Sequence, residues 1–238
     1  MTSAAHSTES LVDALLASLS HDLKTRLTVI AAAADNLRRS VPTAADQRDQ
    51  SELILAETVR VNWILQNIIE VSHIETSTGG PPPEWCDPMD IVIAARGHVE
   101  HHARSHPIDV TTDVETPVWV KGRLAALALA HVLENAAQYS PDGSAIDVTV
   151  RSRQGELVIE VGDHGPGIGQ ADLPRIFDRC YRGALGIAVR PGTGLGLWIA
   201  SRLLAANGGR VRAGNRPGGG AQFTISLPSA SGISAAGF

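Results

Sequence analysis

Two narrow apolar stripes, each several helical turns long, constrain this chain more than any other feature. From Leu16 onward, Leu19, Leu23, Leu27, Ile30, Ala34 and Leu37 recur at three- or four-residue steps with no glycine or proline between them. That spacing lines one side of a long helix. The segment Ser40-Val41-Pro42-Thr43 breaks the run, and a second stripe passes through Ile54, Val61, Ile64, Ile68 and Val71. Two helices with such thin seams cannot enclose a core of their own. The expectation is an all-α helical hairpin over residues 8–77 that pairs with a second copy to form a dimeric four-helix bundle.

The run Ser77-Thr78-Gly79-Gly80-Pro81-Pro82-Pro83 has linker composition, which places a linker at residues 78–84. Beyond it the pattern changes. Segments Ile108–Thr112, Ile146–Val150, Leu157–Val161 and Ala221–Leu227 alternate as strands do, while Arg123–Tyr139 and Leu195–Asn207 keep helical spacing. Residues 85–228 therefore read as a second domain, a mixed sheet with helices on one face. Residues 229–238 are small and polar and read as a disordered tail. A net charge of -5 without long like-charge runs argues against direct nucleic-acid binding. The two cysteines, Cys86 and Cys180, are far apart and form neither a disulfide framework nor a thiolate metal site. No stretch approaches the about 20 apolar residues that span a bilayer, so the expected location is cytoplasmic, including as the cytoplasmic portion of a membrane-bound sensor.

On the first helix, His21 lies two positions before the seam residue Leu23, about 200° around the axis, and so faces away from the seam. Asp22 adjoins it, and Thr25 projects from the same face one turn later. A neutral imidazole is a competent nucleophile near neutral pH, and a neighbouring carboxylate can hold the proton on the other nitrogen. Those are the needs of phosphorylation at nitrogen.

Two glycine clusters follow in the second domain, Asp163-His164-Gly165-Pro166-Gly167-Ile168-Gly169 and Gly192-Thr193-Gly194-Leu195-Gly196-Leu197. Each allows backbone to approach a ligand closely, and the second opens a helix, whose free N–H groups favour phosphate. Neither is a P-loop or a complete dinucleotide fingerprint. On the preceding helix, Glu134 is a candidate catalytic carboxylate, and the Asn135 amide oxygen suits Mg²⁺ held jointly with phosphate oxygens. Asp163 suits the amino group of an adenine.

With these residues in order, the chain resembles the two-component sensor histidine kinases over about residues 10–228. Ser20 to Thr25 resembles the H box, His131 to Pro141 the N box, Asp163 to Gly169 the G1 box, Ile176 to Gly183 the F box, and Gly192 to Leu197 the G2 box. Leu133 to Pro141 and Gly218 to Thr224 are further similar to the potassium-responsive sensor kinases. The resemblance implies a dimeric hairpin that carries phosphorylated His21, joined to an α/β-sandwich of the Bergerat type that binds ATP. It implies that Asn135 serves Mg²⁺, that Tyr139, Asp163, Gly165, Gly167 and Gly169 line the nucleotide, and that Thr193, Gly194, Leu195 and Gly196 face the phosphates. Residues 183–191 would form a lid, with Arg179 and Arg182 near its base. Asp22 would be the base toward His21, and Thr25 would orient water in a phosphatase reaction. A response regulator receiver domain would accept the phosphoryl group on an aspartate.

Four positions depart from the family's pattern, among them Cys180, which stands where an aromatic residue is common. Arg26 stands where a helix-bending proline is usual, His131 replaces the first N-box asparagine, and Gln138 replaces a basic residue. These keep open a rival reading, a degenerate pseudokinase that acts as an ATP-responsive dimeric scaffold. A third, a serine kinase sharing only the nucleotide fold, fits the helical hairpin poorly.

Overall fold

The computed structural model describes residues 23–38, 43–75, 82–100, 103–114, 116–183 and 194–228. It divides into two compact units, Met1–Thr78 and Gly79–Phe238.

In the first unit, α1 covers residues 23–38 and α2 covers Ala44–Glu75. The start of α2 is set by a reciprocal cap. Asp46 N–H donates to Thr43 Oγ1 at 3.2 Å, and Thr43 N–H donates back to Asp46 Oδ2 at 3.0 Å. The apolar stripe divides between two environments. Ala33, just off the sequence stripe, is buried, as is Ile64 on α2, while Leu27 remains 54% exposed together with Leu53, Leu55, Leu65 and Ile69. The reason is steric: a methyl group lets two helices approach closely, and the larger side chains are displaced to the flanks. Leu23, Lys24, Leu27, Thr28 and Ala31 line an open groove on α1.

The second unit opens with β1 (Glu84–Cys86) and α3 (Pro88–Val99), whose N-cap Asp87 accepts from Met89 N–H at 2.7 Å with Pro88 in the first turn. There follow β2 (Ile108–Thr112), β3 (Val118–Val120), α4 (Gly122–Tyr139), β4 (Ile146–Arg153), β5 (Glu156–Gly162), α5 (Gly196–Ala205), β6 (Arg210–Asn215) and β7 (Ala221–Pro228). Among the described residues, five strands form one sheet in the order β2-β4-β5-β7-β6, with β2 and β4 parallel and the rest antiparallel. Strands β1 and β3 pair separately, with Trp85 opposite Trp119. One face of the large sheet is apolar: Ile146, Val148 and Val150 on β4, Leu157, Ile159 and Val161 on β5, and Phe223, Ile225 and Leu227 on β7 are all buried. Helix α4 packs on that face, with α3 and α5 beside it. The result is an α/β sandwich.

The segments read from sequence as strands appear as β2, β4, β5 and β7, and those read as helices appear as α4 and α5. The last turn expected for α5 is instead a hydrogen-bonded turn, in which Gly209 N–H donates to Leu204 O. Sequence reading did not assign α3, β1, β3 or β6. The proposed seam residues Ile68 and Val71 have side chains outside the described residues.

Candidate functional site

Helix α4 changes character along its length. Every side chain from Leu124 to Leu133 is buried, whereas Glu134, Asn135, Gln138 and Tyr139 are half-exposed. The spacing of Asn135 and Tyr139, four residues apart, aligns them on one face. This polar face, at the C-terminal end of a helix that is otherwise core, forms one wall of a site.

The loop after β5 forms the next wall, and Asp163 anchors it. Its side chain is 2% exposed, and Oδ1 accepts from Gly165 N–H at 2.8 Å and from Ala221 N–H at 2.9 Å. Its backbone N–H donates to Ala221 O at 3.0 Å. One carboxylate oxygen thus ties the loop to β7, and Oδ2 is the oxygen left to meet a ligand. Gly165 is required here because a Cβ would lie 2.6 Å from Tyr139 O. The loop therefore rests directly on the end of α4. His164 N–H adds a 3.4 Å bond to Ser140 Oγ.

A residue that sequence reading missed holds the far end of this loop. Asn215 Oδ1 accepts from Ile168 N–H at 2.7 Å, and Asn215 Nδ2 donates to Ile168 O at 2.8 Å. Gly167, with φ +77°, passes close to the same amide. No local signal marks Asn215, since it is the last residue of an edge strand 47 positions away. Arg216 next to it donates to Asp163 O at 3.1 Å and pairs with Asp147 at 2.7 Å.

The other two walls meet α4 as well. Arg182 carries its positive charge near Tyr139, whose hydroxyl pKa is raised by burial and lowered in part by that charge. Gly194, with φ +69°, packs against Tyr181 O. Tyr181 is fixed by a 2.7 Å bond from its hydroxyl to Asp172, which raises its own pKa, and by Arg175 over its ring. Leu195 is buried at the start of α5, where no side chain caps the helix. Gly196 sits over His131, 3.4 Å from ring Nδ1 to where a Cβ would be. His131 is 3% exposed, and burial pushes its imidazole down to about 4, against the raising effect of Glu134 and with the lowering effect of His98. It is therefore a neutral packing group between α4 and α5 at neutral pH.

Gly165 and Arg182 thus meet Tyr139, Gly194 packs beside Arg182, and Gly196 meets His131, while Asn135 shares a helix face with Tyr139 and Gly167 and Gly169 lie in the loop that Asp163 anchors. Glu134 lies beside His131 on α4, and Arg179 is half-buried two residues before Tyr181. Thr25 belongs to the first unit, on α1. His21 and Asp22, Gly192 and Thr193, and residues 184–191 of the expected lid lie outside the described residues. These groups are of the kinds a nucleotide needs: a buried carboxylate, close-approach glycines and a helix start with no side-chain cap.

Two family models match this chain. Residues 121–231 match the histidine kinase-, DNA gyrase B- and HSP90-like ATPase model, and residues 11–77 match the His Kinase A phospho-acceptor domain. The sensor-like histidine kinase SenX3 of Mycolicibacterium smegmatis is 32% identical over 216 residues, covering 90% of this chain and 56% of SenX3. The sensor protein KdpD of Escherichia coli is 32% identical over 222 residues, covering 92% of this chain and 25% of KdpD. Equal identity to both gives the potassium-responsive subgroup no preference. Histidine kinase ThkA, solved in complex with response regulator TrrA, shares the fold with a TM-score of 0.66 at 17% identity, over 94% of this chain and 64% of that one. The chain spans about half of SenX3 and a quarter of KdpD.

Proposed function

This chain belongs to the two-component sensor histidine kinases, and from that premise we propose that it phosphorylates its own His21 from ATP and passes the phosphoryl group to an aspartate of a response regulator. The observation that carries the proposal is the meeting of three segments of the second unit with α4, two at Tyr139 and one at His131, with Asp163 held so that one carboxylate oxygen remains for a ligand.

In this reading Asp163 Oδ2 accepts from the adenine amino group, while the uncapped start of α5, with Thr193 and Gly194 before it, receives the phosphates. Arg182 adds positive charge beside Tyr139, and Arg179 supports it from the lid base. Asn135 offers an amide oxygen to Mg²⁺, which when bound neutralises phosphate charge. Among the described residues no group of three His, Cys, Asp or Glu side chains could hold a metal ion. Asn135 and substrate oxygens would supply the coordination, as suits a cation that keeps several waters. One imidazole nitrogen of His21 attacks the terminal phosphorus, the bond to the ADP oxygen breaks, and Asp22 takes the imidazole proton. Such a transfer depends on alignment and charge stabilisation more than on covalent help. Thr25, one turn below His21, orients water when the phosphorylated partner is hydrolysed. Glu134, next to Asn135 in the chain, is the remaining candidate catalytic carboxylate.

The exposed Leu27, Leu53, Leu55, Leu65 and Ile69 support a homodimer in which a second hairpin covers them. The domain limits proposed are a phosphoacceptor hairpin at 8–77, a linker at 78–84 and an ATP-binding domain at 85–228. His131 gives the scaffold reading no support, because it fills a packing position rather than the cleft.

Incubation with γ-labelled ATP and Mg²⁺ tests the proposal. The expected label is acid-labile, alkali-stable and absent in His21→Ala. Mg-ATP binding without any such label would overturn it.

A further inference from the structure

Arg26 and Glu57 form an ion pair inside the helical hairpin. Arg26 Nη1 donates to Glu57 Oε2 at 2.8 Å, and the side chains are only 15% and 21% exposed. Their positions are not arbitrary. Arg26 lies seven residues before Ala33 and Glu57 seven residues before Ile64, so each stands two turns along the same face as the buried seam residue of its own helix. A charged pair thus occupies the seam of the two buried residues, with Arg26 five positions after His21 in the chain. By contrast, Arg38 and Asp35 on α1 are three residues apart on one helix and cannot join the two helices.

We propose that Arg26 is a positioning residue for His21, its bond to Glu57 fixing the register and rotation of α1 against α2 and so the direction in which the phosphoacceptor faces. This rests on the phosphoacceptor reading above. Apolar seams specify burial but tolerate slippage, because a methyl group such as that of Ala33 fits against many neighbours; a polar pair in a seam has one low-energy partner. A shift of one turn would place the Arg26 guanidinium against Val61 or Leu53 and break its bond to Glu57. The helix also runs unbroken through position 26. No proline stands there to bend it, and His21 lies five residues before Arg26 in the chain.

The test uses the full chain with Arg26→Ala, Glu57→Ala, and the exchange Arg26→Glu with Glu57→Arg. Each alanine variant is expected to lower the rate constant for His21 labelling by about tenfold, the scale of a small misplacement of a reacting group. KM for ATP should stay within about twofold, since every nucleotide residue lies in the other unit. Amide hydrogen exchange in residues 23–38 should accelerate in both, and the charge exchange should restore rate and protection together. Wild-type rates and exchange in both alanine variants would overturn the proposal, as would an exchanged pair that restores neither. Should the wild-type chain take no label at His21, the kinase reading falls, and the exchange measurement alone decides whether the pair locks the register.

Discussion

Two substitutions at Asp163 separate its structural role from its ligand role. Oδ1 accepts two backbone N–H groups, from Gly165 and from buried Ala221, and the residue is 2% exposed. Asp163→Ala leaves both donors without that acceptor. At about 1–3 kcal/mol for the one fully buried donor, that of Ala221, the expected loss is about 1–3 kcal/mol, a sizeable part of the about 5–15 kcal/mol typical of a domain. Asp163→Asn behaves differently. The two N–H donors orient the amide so that its oxygen replaces Oδ1, and the fold is kept. The NH₂ group then takes the place of Oδ2 and faces the adenine amine donor to donor. Losing a hydrogen bond to a charged acceptor, about 1.5–3 kcal/mol, weakens ATP by at least about tenfold. Thermal unfolding and titration with a fluorescent ATP analogue read the two effects separately. An asparagine variant that binds ATP as tightly as wild type would refute the ligand role, and an alanine variant with unchanged Tm would refute the structural one.

Gly165→Ala should abolish most nucleotide binding while the circular dichroism spectrum stays near wild type, because its methyl group would press on Tyr139 O and push the loop off α4. His131 predicts an acid-side loss of stability. Its folded value of about 4 lies below the ordinary 6.5, so the unfolded chain binds the proton more readily between those values. Stability from this residue is full above about 6.5 and falls by about 3 kcal/mol as pH drops to about 4. His131→Leu should flatten that slope in Tm measured from pH 4 to 7; an unchanged slope would show that the imidazole is not buried neutral. Leu27→Glu should shift the chain toward monomer in sedimentation velocity, since Leu27 is 54% exposed on the groove-bearing face of α1. Thr25→Ala should spare His21 labelling and slow dephosphorylation of the response regulator; equal loss of both would contradict its assigned role.

What the sequence made legible follows the strength of local signals. Strands β4, β5 and β7 are apolar at every second position, and α4 and α5 carry helical periodicity, so each could be read alone. Strand β6, Arg-Val-Arg-Ala-Gly-Asn, has only Val211 and Ala213 as apolar side chains, both half-buried, and looks like a loop. Strands β1 and β3 have three residues each, too few for a period. Helix α3 did carry a start signal, Asp87 followed by Pro88, which the sequence reading passed over. In the site, Asp163 and the glycines announced themselves as clusters. Asn215 and Arg216 could not, because their contacts to Ile168, Asp163 and Asp147 arise only when β6 reaches the sheet edge. The same limit applies to Arg26, whose departure from the family's pattern was visible while its partner Glu57, 31 residues away, was not.

Helix α4 has a practical consequence for anyone interpreting variants of this chain. Between Leu124 and Leu133 a change in side-chain volume reports on whether the polypeptide assembles, and its carriers should be scarce or aggregated in cells. From Asn135 to Tyr139 the half-exposed positions report on chemistry instead, and their carriers should accumulate at normal abundance yet fail to signal. A single mutational scan along these eighteen residues should therefore show protein level and phosphorylation output parting company about two-thirds of the way along.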